Sequence, residues 1–465
     1  GPSDYEGLHR RYASLIDGME IKKLASPGDD VRRRLSSLFN GMMRSLFNEK
    51  GSEFRVELVA DPAVQEFVGA HASALDSAFE KVDMSEAMRR RLTRSNYIFS
   101  GMKAFHELHE AFPSLLDENG DRKPFERFLN DAQSIDKTYN ANYLRAEYNF
   151  VAASAEMAGR WEQFMADGDR YYLQYRTQRD NKVRPEHAAL DGVTLPLSDS
   201  FWEEFYPPNG WNCRCTVVQV RKSKCPATDH DEAMRLGDEA LQRDTKGMFR
   251  FNAGKEGKSV PDYNPYTVSR CRDCDIAKGG KGKSLARSFV PDNEVCKACV
   301  FIRQCEQLRG ETIRHGKGTI EISHLVDRND NDYSRLMQVA QHFAKDGSHV
   351  VLTPKMTRPA KFEYDCVYGS LRGTPYDGKC PDLKIDGLWY EHEGFVTDNP
   401  KRAFNNMMNH GLKQSGRLII DRPELTDRFM LRSIQNRINL GINVEEVWLR
   451  ENNGMIRLLY KKTDG

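Results

Sequence analysis

The sequence is short of three things. No apolar run reaches the roughly 18 residues that a spanning helix needs, which excludes a membrane helix as the organising element. Net charge is +1, with 69 Lys and Arg against 68 Asp and Glu, so no global field draws polyanions and any nucleic-acid contact has to be local. Cysteine is sparse: 10 in 465 residues do not make a disulfide scaffold, and their C-x-x-C grouping points to metal in a reducing cytosol. No signal peptide is expected at the start. What remains is an ordinary globular composition, 39% hydrophobic and 10% aromatic. A chain of this length predicts roughly two to four domains.

Residues 1–165 read as a helical region. Residues 11–23 and 30–48 repeat apolar side chains at three- and four-residue spacing, and Leu35, Leu38, Phe39, Met42, Met43 and Leu46 form the stripe of the second. Pro27-Gly28, Pro62, Pro113 and Pro124 punctuate the region. A long helical stretch, 139–165, leads into residues 166–220, a small α+β motif. There Tyr175, Trp202, Phe205, Tyr206 and Trp211 supply apolar bulk, and Pro207-Pro208-Asn209-Gly210 predicts a rigid turn. Residues 221–265 are polar and read as a connector with one helical patch near 231–243.

Metal-ligating residues fall in two places. In the segment 266–309, Cys271-x-x-Cys274 and Cys296-x-x-Cys299 have the spacing of paired zinc knuckles. Two thiolates from each tight turn close a four-sulfur shell with no open position, so this zinc is expected to be structural. Upstream, His187, Cys213 and Cys215 offer a second set, with Cys225 as a candidate fourth ligand. The alternative reads these two cysteines as small buried hydrophobes and His187 as a hydrogen-bonded core residue. Between the knuckles, Gly279-Gly280-Lys281-Gly282-Lys283-Ser284 imitates the end of a phosphate-binding loop. Ala277 stands where that loop needs glycine, so the stretch reads as a basic loop.

Several elements of 166–220 form an ordered series: Arg176-Thr177 with Asp180, Val183 through Arg184-Pro185 to His187, Leu190-Asp191-Gly192, Phe201-Trp202, Pro207-Pro208 and Cys213-Arg214-Cys215. The series resembles the signature of the phage Mu F-type head-morphogenesis family, the minor head proteins. The resemblance implies a virion or prophage origin, with phage portal and head proteins as partners.

Residues 310–465 read as a compact α+β domain. Strands are expected at 318–322, 349–352, 417–421, 444–449 and 455–460, and helices at 332–345, 400–412 and 426–439. A hairpin turning at Asp386-Gly387 is also expected, with Asn399 as a helix cap. Lys401, Arg402, Lys413 and Arg417 fall in a stretch with no acids, which suits a phosphodiester backbone. Cleaving RNA without metal requires a base, an acid and cations for the developing charge. Glu391, His392, His410, Lys413 and Ser415 are the candidate catalytic residues, and Lys401, Arg402, Gln414 and Arg417 the candidate RNA contacts.

The series Pro381-Asp382, Ile385-Asp386-Gly387, Trp389, Glu391, Ala403, Gln414-Ser415 and Leu418 to Asp421 resembles the barnase, EndoU, colicin and RelE-like (BECR) ribonuclease toxins, above all the tRNase tips of contact-dependent inhibition toxins. That resemblance implies a tRNA substrate, an immunity protein as partner, no cofactor for catalysis, and action in a bacterial cytoplasm. Glu391-His392-Glu393 stands where lysine is more usual. Two alternatives remain. Pro381-Asp382 with Glu391-x-Glu393 resembles PD-(D/E)-x-K nucleases, in which two carboxylates hold Mg²⁺. The last domain is otherwise a virion binding module without turnover. The expected fold is multidomain: a mostly α N-terminal region, a small α+β head-protein motif with a zinc knuckle, and a C-terminal α+β nuclease-like domain.

Overall fold

The computed structural model describes residues 27–49, 54–267, 294–356, 364 and 367–463. The chain divides into two units, Gly1–Arg303 and Gln304–Gly465. The expected helix at 11–23, Cys271, Cys274 and the basic loop at 279–284 lie outside the described residues.

The first unit is built on α1 (Asp29–Asn48), α2 (Pro62–Asp76), α3 (Glu86–Ala111), α4 (Phe125–Asp136) and α5 (Leu144–Asp167). The stripe predicted for α1 is the buried one: Leu35, Phe39, Met42, Met43 and Leu46 face inward. Caps set the starts. Asp61 accepts from Ala63 N ahead of Pro62, and Ser85 accepts from Met88 N. The stretch read as one helix from 139 begins instead as a π-helical turn, Lys137–Tyr143, before α5. In that wide turn the Tyr139 carbonyl accepts from Lys103 Nζ at 2.7 Å, a bond a regular helix would have kept for itself.

A small antiparallel sheet follows, of β1 (Tyr172–Arg176), β2 (Thr194–Pro196) and β3 (Thr216–Val220) in the order β2-β1-β3, with short helices α6 (Pro185–Ala188) and α7 (Phe201–Glu204). The presumed connector is a correction. Residues 221–267 carry α8 (His230–Ala240) and α9 (Ala253–Glu256) and are packed into the unit. Phe249, Phe251, Tyr263 and Tyr266 are buried. Asn252 Nδ2 donates to Trp202 O, and Gly254 meets Trp161 so closely that a Cβ would stand 2.2 Å from it. Helix α10 spans Glu294–Arg309.

The second unit contains β4 (Glu311–His315), β5 (Gly318–Ile322), α11 (Tyr333–Lys345), β6 (His349–Leu352), β7 (Leu383–Ile385), β8 (Leu388–Glu393), α12 (Pro400–Gly411), β9 (Arg417–Asp421), α13 (Asp427–Asn439), β10 (Glu446–Arg450) and β11 (Ile456–Lys461). The strands form one mixed eight-stranded sheet, ordered β11-β10-β9-β8-β7-β6-β5-β4. Here the α+β expectation understated the topology: β5, β6, β8, β9 and β10 all run the same way. Neighbouring residues of β9 separate the faces. Ile419 joins the core under α11, with Leu336, Val339, Ile320, Val350 and Leu352. Leu418 and Ile420 join the core under α12 and α13, with Phe404, Met407, Met430 and Ile434. The β7–β8 turn is the predicted Asp-Gly pair, with Asp386 at φ 47 and Gly387 at φ 85. Among the described residues, no helix is long and apolar enough to cross a membrane.

Candidate functional site

In the second unit the co-directional strands end beside one another, the place where open sheets of this kind gather ligands. Glu391 and Glu393 sit near the end of β8, Asp421 is the last residue of β9, and Asp382 immediately precedes β7. Glu391 and Glu393, two apart on a strand, share a face. His410 near the end of α12 meets them there: its Nδ1 pairs with Glu393 Oε1, and ligand atoms of Glu391, Glu393 and His410 all lie within 4.8 Å of one another. Asp382 N donates to Glu391 Oε2 at 3.1 Å, and Asp382 Oδ2 accepts from His392 N at 3.3 Å.

The electrostatics are those of crowded like charges. Burial, and then the charges of Asp382 and Glu393, push Glu391 well above the usual carboxylate range. Burial also raises Asp382, against the pull of Lys355. Glu393 is raised by burial despite His410. Lys355 itself pairs with Asp330 and Asp332 at 3.4 and 3.6 Å.

The five candidate catalytic residues do not form one group. Glu391 and His410 come together. His392 faces the opposite side of β8, where Nε2 lies 3.1 Å from Asp421 Oδ1. Arg450 Nη1 donates to the same Asp421 oxygen at 2.9 Å. Burial would raise Asp421, but His392 and Arg450 outweigh it and hold it low. Ser415 is buried, and its hydroxyl donates to Trp389 O at 2.7 Å, a structural bond. Lys413 is exposed, and its side chain reaches none of these carboxylates among the described residues. Of the candidate RNA contacts, Arg417 is ion-paired with Glu445, and Lys401 lies over the Phe429 ring at 5.5 Å. Arg402 is exposed and Gln414 half-buried. The cationic strip of the sequence is thus partly answered by an acid and a ring from later elements. Asp382 and Glu393 entered only through the PD-(D/E)-x-K alternative, and Asp421 was given no role at the site. The Pro-Asp and Glu-x-Glu spacing was the signal for the first two, because a hairpin of that length aligns them.

In the first unit the ordered motif closes on itself. Thr177 N and Arg179 Nε donate to the two oxygens of Asp191, at 2.9 Å each. Arg214 makes a bidentate pair with Asp180 at 2.8 and 2.8 Å. Trp202 Nε1 donates to Pro196 O, and Tyr175 OH to Asn209 Oδ1. Inside this frame His187, Cys213 and Cys215 are all buried, with ligand atoms within 4.8 Å of one another. A hydrogen bond from Cys215 holds Cys213 well below the usual thiol range, while Cys213 and burial push Cys215 up. Cys225 is not part of this group.

Of the four cysteines of the expected knuckle, Cys296 and Cys299 lie in the first turns of α10, where a tight turn was expected, and Cys271 and Cys274 lie outside the described residues. A cavity of about 840 Å³ in the first unit is lined in part by Arg91, Arg94, Arg250, Lys258 and Arg303. Arg250 pairs with Glu204 and Asp238, and Lys258 and Arg303 with Asp262, so much of its positive charge is answered by acids.

Residues 118–218 match the family model for Phage Mu protein F like proteins. The chain is 32% identical over 164 residues to the putative capsid assembly protein F of Escherichia phage Mu, covering 35% of each. It is 32% identical over 110 residues to the Mu-like prophage FluMu F protein of Haemophilus influenzae, covering 22% of this chain and 27% of that one. The chain therefore spans about a third or less of the length of these curated relatives. No solved structure matches it.

Proposed function

Starting from the Phage Mu F-like domain at residues 118–218, we propose that the chain works in phage head assembly and carries a metal-dependent phosphodiesterase in its second unit. Portal and other head proteins are the partners of the first role. Nucleic acid is the substrate of the second, with tRNA the kind that the toxin resemblance implies. An immunity protein is the partner such an activity requires in the producing cell.

The observation that carries the enzymatic reading is the convergence of Glu391, Glu393 and His410, with Asp382 alongside. Two buried carboxylates this close are unfavourable unless a proton or a cation intervenes. Their hard oxygens suit Mg²⁺ or Mn²⁺, and the imidazole admits Mn²⁺ or Zn²⁺. A divalent cation held there would supply a more acidic water and charge relief for the attacked phosphate. The chain's own groups orient the site. The Asp382 amide fixes one Glu391 oxygen, His410 anchors Glu393, and Lys355 stands near Asp382 as a cation for the phosphate.

A second reading keeps the metal-free route, favoured by His410. Its ring is 65% exposed and held by Glu393, as a general acid or base would be. The two readings part experimentally. Metal-stripped full-length chain should leave tRNA intact, regain cleavage with Mn²⁺ or Mg²⁺, and lose it in Glu391→Gln. Cleavage that persists without metal but is abolished by His410→Ala would select the second. No cleavage under any condition by folded chain would leave a virion binding module. For the assembly role, heads purified from the phage that encodes the chain should contain it; normal heads lacking it would refute that role.

A further inference from the structure

The geometry points to a zinc ion bound in the first unit by His187 Nδ1 and the sulfurs of Cys213 and Cys215. His187 Nδ1 lies 3.8 Å from each sulfur. Tetrahedral zinc, at about 2.3 Å from sulfur and about 2.0 Å from nitrogen, sets such a separation at roughly 3.5 Å. A contraction of a few tenths of an ångström closes the shell.

The three ligands come from distant parts of the motif, and the fold aims them at one another. Pro185 starts α6 and places His187 in its single turn. The loop to β3 turns at Asn212, φ 55, with Cys213 N bonded to Gly210 O. Arg184 lies against this loop and donates to Trp211 O at 2.9 Å. A Cβ on Gly210 would stand 2.4 Å from the Arg184 guanidinium, so a side chain there would have to displace it. Asp180 holds Arg214 outward, which turns the sulfurs on either side toward His187. Two small hydrophobes would need none of this.

A cavity of about 40 Å³ borders all three ligands, together with Gln178, Lys182 and Asn212. That is room for a water as the fourth ligand. Two thiolates and an imidazole select zinc over the hard cations suited to the second unit. The ion ties α6 to the start of β3, 26 and 28 residues apart in sequence, and so holds the small sheet's flanks together.

The downstream cysteines must be kept out of the count. Full-length chain carrying Cys271→Ser and Cys274→Ser should hold about one zinc by elemental analysis. Adding Cys213→Ser and Cys215→Ser should remove it. Cobalt exchanged into the same protein should show thiolate charge-transfer absorption, weakened by either serine and shifted by His187→Ala. If the variants do not fold, the unaltered chain serves. Alkylation mapped by mass spectrometry should spare Cys213 and Cys215 until a chelator is added, then label both. A folded Cys271→Ser/Cys274→Ser chain without zinc, a Cys213–Cys215 disulfide, or labelling indifferent to chelator would overturn the assignment.

Discussion

In the first unit Lys103, Glu147 and His71 meet in a fully buried cluster; in the second, Asp382, Glu391 and Glu393 meet beside His410. The first is held by a direct ion pair, with Glu107 buried alongside and raised by burial and by the charges of Asp136 and Glu147. Lys103 Nζ bonds Glu147 Oε2 at 2.8 Å and Tyr139 O at 2.7 Å, and Tyr266 OH bonds the other Glu147 oxygen at 2.6 Å. Burial would raise Glu147, but Lys103 and His71 bring it to about 2. Burial and Lys103 lower His71 to about 4, so one cation faces one anion across a neutral imidazole. The second cluster has an excess of acid, and its members are pushed up rather than down. A carboxylate that meets its lysine directly reads as structure. Carboxylates that outnumber the cations beside them, at the ends of co-directional strands, read as a place where something binds.

The sharpest way to break this contrast is to unbalance the first cluster. Lys103→Met leaves Glu147 buried without its cation and should cost about 3–5 kcal/mol, seen by calorimetry as an early transition of the first unit. Retained stability would mean that the cluster is not held by charge. Conversely, balancing the second cluster should help. Mn²⁺ at about 100 times its dissociation constant should stabilise the second unit by about 2.7 kcal/mol, and Glu391→Gln should abolish that gain in a thermal-shift titration.

Acid should act in opposite directions through His71 in the first unit and Glu391 in the second. His71 has its folded value near 4 against 6.5 unfolded, so its contribution is present above 6.5 and lost as pH falls from there toward 4. The loss is on the order of 2 kcal/mol. Glu147 adds a further loss below 4.5, toward about 2. Glu391 is raised, so its contribution is present below the ordinary glutamate value of 4.5 and lost as pH rises through its folded value. Between pH 6.5 and 4.5 His71 should therefore weaken the first unit, against the opposite pull of the raised Glu107, and Glu391 should firm the metal-free second unit, against the lowered His342; His71→Gln and Glu391→Gln should each remove their own part of the pH dependence. The smallest effect is expected at Ser415: Ser415→Ala should cost about 1 kcal/mol through the lost bond to Trp389 O and leave any phosphodiesterase activity unchanged. A large activity loss without unfolding would return Ser415 to the site.

Much of the second unit was legible in the sequence because local signals agreed there. The α11 stripe, the Asp386-Gly387 turn and the Asn399 cap each fixed an element within a few residues. Strand direction was not legible. Parallel pairing of β8, β9 and β10 depends on how α12 and α13 cross the sheet, which no local pattern states. The packing of 221–267 was hidden because its few large aromatics are scattered through polar residues without a period. At the site, reading Glu391 and His392 as neighbours ignored the alternation that sends them to opposite faces. The grouping of His187 with Cys213 and Cys215 was legible from residue type; that their ligand atoms lie within 4.8 Å of one another required the tertiary fold.

Among the described residues the eight-stranded sheet is open, and it ends in two rims, β4 and β11. Each rim exposes apolar side chains, Ile313 on one and Leu458 on the other. Each also carries charge: Glu311, Arg314 and His315 along β4, Arg457 and Lys461 along β11. A bulge at Val447/Trp448 further twists the β10–β11 pairing. Copies crowded side by side are thereby kept from zipping into a shared sheet. These rim charges lie away from both clusters, and exchanging them for apolar residues would favour edge-to-edge pairing between copies.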